Sequence, residues 1–287
     1  MKLRGAIILV TFGGEQPLPA LRRAFALSRV LQRDLRILRV EVAPPFGHPL
    51  FPEVDLGGVV VSAEAQIEVD GETALWCSWV LGRSVPVEGL HVPNGDVVEG
   101  VSERVAELGA EIVVLAAGSG IGDFATALAI RSALPVLVAR AMATDESILA
   151  ATDLEREDYP VLRRAAALAE QLDAPIVAVH NATPRASLVG FAPTWPGMVL
   201  TAGTECSWRE EHLRRATRDI GIEGDHVVAQ ELDVVDAILQ EARARRAAVV
   251  VVGTRRRSWF ARLVGRSVAA DVAEKAQRSV LVTPLPS

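Results

Sequence analysis

The 287-residue sequence is poor in several residue types that would announce a function. It has two cysteines, one tyrosine and five histidines. Two thiols, Cys77 and Cys206, do not make a disulfide framework and fit a reduced, cytosolic setting. Both sit in a Cys-Ser-Trp triplet, at 77–79 and 206–208, but the triplets fall out of step with the repeat described below and read as coincidence. His48, His91, His180, His212 and His226 are scattered, without metal-ligand spacing to one another, to cysteine or to carboxylates. No stretch approaches the roughly 18 apolar residues that span a bilayer. The opening MKLRGAIILVTFGGEQP has an apolar run too short for a signal segment and no small-residue cleavage pattern. A soluble, cytoplasmic protein without a membrane partner is expected.

A basic excess is missing too. The net charge is −6, and acidic side chains outnumber basic ones in each half. A chain that neutralises many phosphates needs the opposite balance, so a general nucleic-acid partner is excluded. Neither WCSWVLGRS (76–84) nor VGRSV (264–268) forms the Gly-x-Ser-x-Gly elbow of hydrolases. No acid/base pair and no metal set stand out, so no catalytic residue and no metal ligand are assigned.

What is present is a repeat. AIILVTFGGEQPLPALRRAFALSRVL aligns with SILAATDLEREDYPVLRRAAALAEQL without a gap, carrying Thr11 onto Thr152, Pro19 onto Pro160 and Leu21-Arg22-Arg23-Ala24 onto Leu162-Arg163-Arg164-Ala165. The offset is 141, as Ile7 onto Ile148 shows; it becomes 137 where Asp96 meets Asp233 and 144 where Val136 meets Val280. Offsets that change only between elements are the mark of loop insertions and deletions.

Each copy alternates short apolar runs with helical spacing. In the second copy ILAAT, PIVAVH, HVVAQEL, AAVVVVG and SVLVTP read as buried strands. Between them, DYPVLRRAAALAEQL places Val161, Leu162, Ala165, Leu168, Ala169 and Leu172 on one helical face. The fold expected is α/β: two tandem doubly wound, Rossmann-like domains, residues 1–143 and 144–287, each a five-stranded parallel sheet flanked by helices. The join falls in RAMATDES, 140–147. One undivided sheet would count against two side-by-side halves. Ligands on such sheets bind beyond the carboxyl ends of the strands, where strand order reverses, which directs attention to the loops after Thr152, His180 and Val252.

ILAATD before a Leu-Arg-Arg-Ala helix, the strand end AVH, VVVVGTRRRSWFARLVGRSVAADVAEKA and the closing SVLVTP together resemble the universal stress protein family in its tandem two-domain form. That resemblance implies a stress-response or regulatory protein. Members that bind ATP carry Gly-x2-Gly-x9-Gly-Ser/Thr after the fourth strand and an Asp after the first. Carried over, Asp153 is the adenosine contact. Gly253 matches the first glycine, Arg256 the second, Arg266 the third and Ser267 the serine, while Asn181 follows His180 beside the adenine. With Val252, Thr254 and Val268 these are the candidate cofactor-binding residues, and magnesium is implied only together with ATP.

The pattern departs at Arg256 and Arg266. A Cβ at either would stand against close phosphate approach, yet a guanidinium is itself a phosphate ligand. Arg255, Arg256, Arg257, Arg262 and Arg266 form a basic cluster that reads either as a solvated helix entrance or as an arginine-lined anion site. The first copy departs further: Phe12 replaces the Asp, and GSGIGD (118–123) follows its fourth strand with seven fewer residues before the fifth. Asp123 would repel phosphate there, no acidic residue is suitably placed for a ribose, and a tight strand-to-helix turn is the plainer account of those glycines.

Three functions follow. One is a regulatory protein binding ATP or another anion in the second copy. The alternative is an interaction or scaffold protein that binds no nucleotide, and a nucleotide hydrolase ranks last. The resemblance further implies that the fifth strands, Val136-Leu137-Val138 and Val280-Leu281-Val282, pair within the chain as a pseudo-dimer, with a homodimer left open.

Overall fold

A computed structural model describes residues 5–13, 17–42, 63–92, 96–141, 147–181, 202–229, 233–255 and 267–285, the side chains of 63–68 and 202–206 excepted. The first half runs β1 (Ala6–Phe12), α1 (Leu18–Val30), β2 (Asp34–Val42), α2 (Ala63–Leu81), β3 (Val87–Val92), α3 (Val97–Glu107), β4 (Ala110–Ala116), α4 (Ile121–Ser132) and β5 (Val136–Ala139). The second runs β6 (Ser147–Ala151), α5 (Pro160–Leu172), β7 (Ile176–Asn181), α6 (Ala202–Ile220), β8 (Asp225–Ala229), α7 (Val234–Ala244), β9 (Ala247–Thr254), α8 (Val268–Lys275) and β10 (Ser279–Pro284). Of the strand expected over HVVAQEL, the first four residues lie in β8 and the last three lie outside the described residues, as does the join expected around 144.

Ten strands are hydrogen-bonded in the order β3-β2-β1-β4-β5-β10-β9-β6-β7-β8. The sheet is continuous but not undivided. Each half is wholly parallel, and chain direction reverses at the centre, where Val136, Leu137 and Val138 face Val282, Leu281 and Val280 antiparallel. The two halves are thus tandem α/β domains of one topology joined through their fifth strands.

The duplication reaches into local detail. The pairing of β1 with β4 shifts register after Ala6, and that of β6 with β9 shifts after Ser147, the residue 141 positions on. Asp96 accepts from the Val98 N–H at 2.9 Å to start α3, and Asp233 accepts from the Val235 N–H at 2.9 Å to start α7. In each case a short carboxylate satisfies a helix-end donor that has no intrahelical partner.

Alternation along the strands gives two apolar layers. The layer that holds Ile8 and Val10 lies beneath α3, α4, α7 and α8, and the layer that holds Ile7 and Leu9 lies beneath α1, α2, α5 and α6. Both layers run through the seam, because Val136, Val138, Val280 and Val282 point one way and Leu137 and Leu281 the other. Across the seam α4 lies directly on α8. A Cβ on Gly122 would stand 2.1 Å from the Ala270 carbonyl oxygen, so only glycine permits this approach.

Candidate functional site

A cavity of about 500 Å³ opens at the carboxyl ends of β6, β7 and β9. Its place follows from connectivity. The chain leaves β6 toward β7 on one side and returns through β9 on the other, so a crevice is left where the strand order reverses. Ala151, Val179 and Val252 from strand ends, with Val234 and Ile238 from α7, make an apolar wall. Of the expected site residues, Asp153, Asn181, Val252, Gly253, Thr254, Ser267 and Val268 all line this cavity. Arg256 and Arg266 lie outside the described residues.

His180 is the last residue but one of β7 and is 4% exposed. Its Nδ1 lies 2.9 Å from the Thr152 carbonyl oxygen and its Nε2 3.1 Å from Arg209 Nη1. A carbonyl can only accept and a guanidinium can only donate, so the ring is a neutral imidazole with its proton on Nδ1. Burial holds its pKa below the usual histidine value; the Thr152 bond pulls it up, the Arg209 charge pushes it down, and Asp153 and His212 add smaller opposing effects. His180 is therefore a packed histidine that positions Arg209 at the cavity wall.

Asp153 begins the loop between β6 and α5. Its Oδ1 accepts from the Glu155 N–H at 3.1 Å, and Leu154 between them takes φ +57°. Tyr159 closes the loop at φ +45° and places its hydroxyl 3.2 Å from His212 Nε2. Left-handed backbone at non-glycine residues costs energy and persists where the surroundings fix it. Across the cavity mouth, Arg255 sits 2.5 Å from the Glu155 carboxylate and 3.8 Å from that of Asp153. Glu155 raises the Arg255 pKa, first by its hydrogen bond and then by its charge. Both partners are about half exposed, so the pair is a surface latch rather than a buried bond. The first member of the basic cluster is thus neutralised by carboxylates.

Gly253 has a packing reason as well as a ligand-side one. A Cβ there would approach Val161 Cγ2 to 2.8 Å and Leu285 Cδ1 to 3.0 Å. Leu285 is drawn in by its own N–H, which donates to the Thr254 carbonyl at 2.7 Å. Ser267 occupies the N-cap of α8 without a side-chain cap bond, and Val268 and Ala269 follow it along the wall.

The same places in the first half are filled. Phe12, at the position of Asp153, packs edge-on against Phe124 of α4 with ring centroids 5.3 Å apart. Arg39, at the position of His180, is 1% exposed, bonded to Asp70 at 2.6 Å and paired with Glu41. The GSGIGD turn takes φ +75° at Gly120, as a tight strand-to-helix turn requires. Its amides hold a carboxylate in spite of Asp123: Gly120 N–H and Gly122 N–H donate to Glu274 at 2.8 and 3.0 Å. Repulsion by one aspartate is a weaker effect than two aimed amide donors.

Sequence reasoning missed Arg209 and Glu274. Arg209 was open to detection, since it stands four residues before the buried Leu213 on the core-facing stripe of α6, where an arginine is out of place. Nothing local marks Glu274, whose partners are more than 150 residues away. Among the described residues no group of three or more His, Cys, Asp or Glu side chains is arranged to hold a metal ion. Likewise, no helix among them is long and apolar enough to cross a membrane.

Residues 146–284 match the sequence profile of the Universal stress protein family. Three solved structures share the fold over the whole chain. A putative universal stress protein from Pseudomonas aeruginosa UCBPP-PA14 superposes with TM-score 0.62 at 18% identity, covering 97% of this chain and 92% of that one. A functionally unknown protein from Pseudomonas aeruginosa PAO1 gives 0.61 at 17% identity, covering 99% and 93%. A universal stress protein from Archaeoglobus fulgidus DSM 4304 gives 0.63 at 14% identity, covering 96% and 98%. No curated protein matches the sequence.

Proposed function

Residues 146–284 belong to the universal stress protein family, and on that premise we propose that the second half is a regulatory module binding an anionic nucleotide, ATP first among the candidates. The observation that supports this is convergence. Seven residues chosen from the sequence, from Asp153 to Val268, border one cavity of about 500 Å³, a size that suits a nucleoside. The chemistry is divided along it. Val179, Val252 and Ile238 offer an apolar wall to a flat base, and the Asp153 carboxylate accepts from ribose hydroxyls. The start of α8 presents backbone amides and a favourable dipole to phosphates, and Arg256 and Arg266 carry charge where the family pattern has two glycines. The two carboxylates lining the cavity, Asp153 and Glu155, both face Arg255, so magnesium would arrive on the phosphates.

A second reading, an interaction protein without nucleotide, draws on the Arg255 latch. Arg255 is already paired with Glu155 and lies near Asp153, so its charge is satisfied without an anion. The deciding experiment is to denature the purified protein, analyse the released small molecules for adenine nucleotides, and follow thermal unfolding with ATP and magnesium. Occupancy at 100 times the dissociation constant stabilises a fold by about 2.7 kcal/mol. Released nucleotide or a saturable upward shift supports the nucleotide reading; neither, with wild type and Arg256→Gly alike, supports the interaction reading.

A further inference from the structure

The first half also contains anion-binding backbone, and it is occupied from within. Gly120, in left-handed conformation, sits at the N-cap of α4, and Gly122 lies in its first turn. Their N–H groups converge on the two oxygens of one carboxylate, Gly120 on Oε1 at 2.8 Å and Gly122 on Oε2 at 3.0 Å. A pair of aimed amides at the positive end of a helix dipole is how backbone holds a phosphate or a carboxylate. Here the anion is the side chain of Glu274, in the last turn of α8 and therefore from the other half.

Three further features fit Glu274 to this role. The absence of a side chain on Gly122 lets α8 come close enough to deliver it. Arg140, just after β5, donates to the Ala273 carbonyl at 2.8 Å and the Glu274 carbonyl at 3.0 Å, fixing the C-terminal end of the same helix. Carried across the repeat at the offset that pairs Val136 with Val280, Gly122 stands where Arg266 does and Asp123 where Ser267 does. The filled amides are therefore the first-half counterpart of the entry to α8.

We propose that the Gly118–Gly122 loop is a working oxyanion site whose ligand is Glu274, so that one carboxylate both closes the site to free anions and ties the two halves. Removing the carboxylate opens the site to small oxyanions of the same chemistry, inorganic phosphate or acetate. Because it concerns the first half, the proposal stands or falls apart from any nucleotide in the second.

The test uses the full chain carrying Glu274→Ala, with thermal unfolding followed in inorganic phosphate or acetate against chloride at matched ionic strength. The variant is expected to unfold on the order of 4 °C lower than wild type. Phosphate or acetate should then recover about half of that loss in a saturable manner, beyond any effect on wild type. Glu274→Gln, which keeps length and one acceptor oxygen, covers the case in which the alanine variant does not fold; phosphate should shift its Gly120 and Gly122 amide resonances. A variant stabilised by these anions no more than wild type, or glycine resonances unmoved by phosphate in the glutamine variant, overturns the proposal.

Discussion

The two halves share a strand order, a helix order and even a register shift, yet one lines an open crevice with residues whose counterparts in the other are packed or paired side chains. Four exchanges account for the difference. Where the second half presents Asp153, the first packs Phe12 against Phe124. Where the second has neutral His180, the first buries Arg39 between two carboxylates. Where the second leaves Ser267 without a cap bond, the first fills its amides with Glu274. And the first shortens the connection from its fourth to its fifth strand by seven residues. In a duplicated fold the same positions can hold a ligand cavity in one copy and packed apolar or paired charged side chains in the other. The comparison predicts where substitutions will cost most.

The largest effect is expected from giving the first half the second half's residue. Arg39→His removes the cation between Asp70 and Glu41, which are about four-fifths buried, and leaves two like charges facing each other. Breaking such a pair costs about 3 kcal/mol, read as a lower urea midpoint. The reverse exchange, His180→Arg, meets Arg209 and drives that guanidinium from the wall; an unchanged stability for both exchanges would show that the positions are not equivalent.

A matched pair of glycine substitutions sharpens the contrast at smaller scale. In the first half, Gly122→Ala drives a Cβ against the Ala270 backbone oxygen, an atom that cannot turn aside. A loss of about 2 kcal/mol is expected, even with the gain in helix propensity. In the second half, Gly253→Ala meets only the ends of Val161 and Leu285 side chains, and a loss of about 1 kcal/mol or less is expected. Equal losses would remove the distinction between a seam fixed by backbone contact and a cavity wall fixed by side chains.

Acid should distinguish the halves next. His180 is held below its ordinary value of 6.5, first by burial, so the unfolded chain takes up a proton that the folded chain resists. Its contribution to stability is complete above about pH 6.5 and is withdrawn as the pH falls below that toward the folded value. Arg39 keeps its charge throughout: burial lowers its pKa, but the hydrogen bonds and charges of Glu41 and Asp70 outweigh burial and raise it. Wild type should therefore lose more of its urea midpoint between about pH 7.5 and about pH 5.5 than His180→Gln does. Equal losses would place the acid sensitivity elsewhere.

How much of this could be read from the chain alone differs between fold and site. Helices and strands followed from apolar spacing and from the repeat, because the buried stripe of α5 and the valine run of β9 are local patterns. Pairing of Val136–Val138 with Val280–Val282 followed from the family resemblance, with the need to cover two apolar edges as its physical motive. The wall of the cavity was legible where it comes from strand ends, since topology alone brings Asp153, Asn181 and Gly253 together. Arg209 comes from a helix, and Glu274 acts across the seam, so their roles depend on tertiary distances that no local spacing encodes.

The smallest effect on stability should fall on the residue with the most bearing on ligand choice. Arg255 and its partners are about half exposed, and exposed pairs are worth little, so Arg255→Gln should change unfolding free energy by less than about 0.5 kcal/mol. Binding should respond differently. If the cavity takes an anion, Arg255 is a cation at its mouth able to turn from Glu155 to a phosphate, and the variant should bind ATP about tenfold more weakly, in a manner that declines with added salt. If Arg255 instead serves to keep Asp153 neutralised and the mouth closed, the variant should bind as well or better. Calorimetric titration of wild type and variant with ATP at two salt concentrations separates the two, because only a direct phosphate contact loses affinity when the guanidinium is removed and loses less of what remains when salt is added.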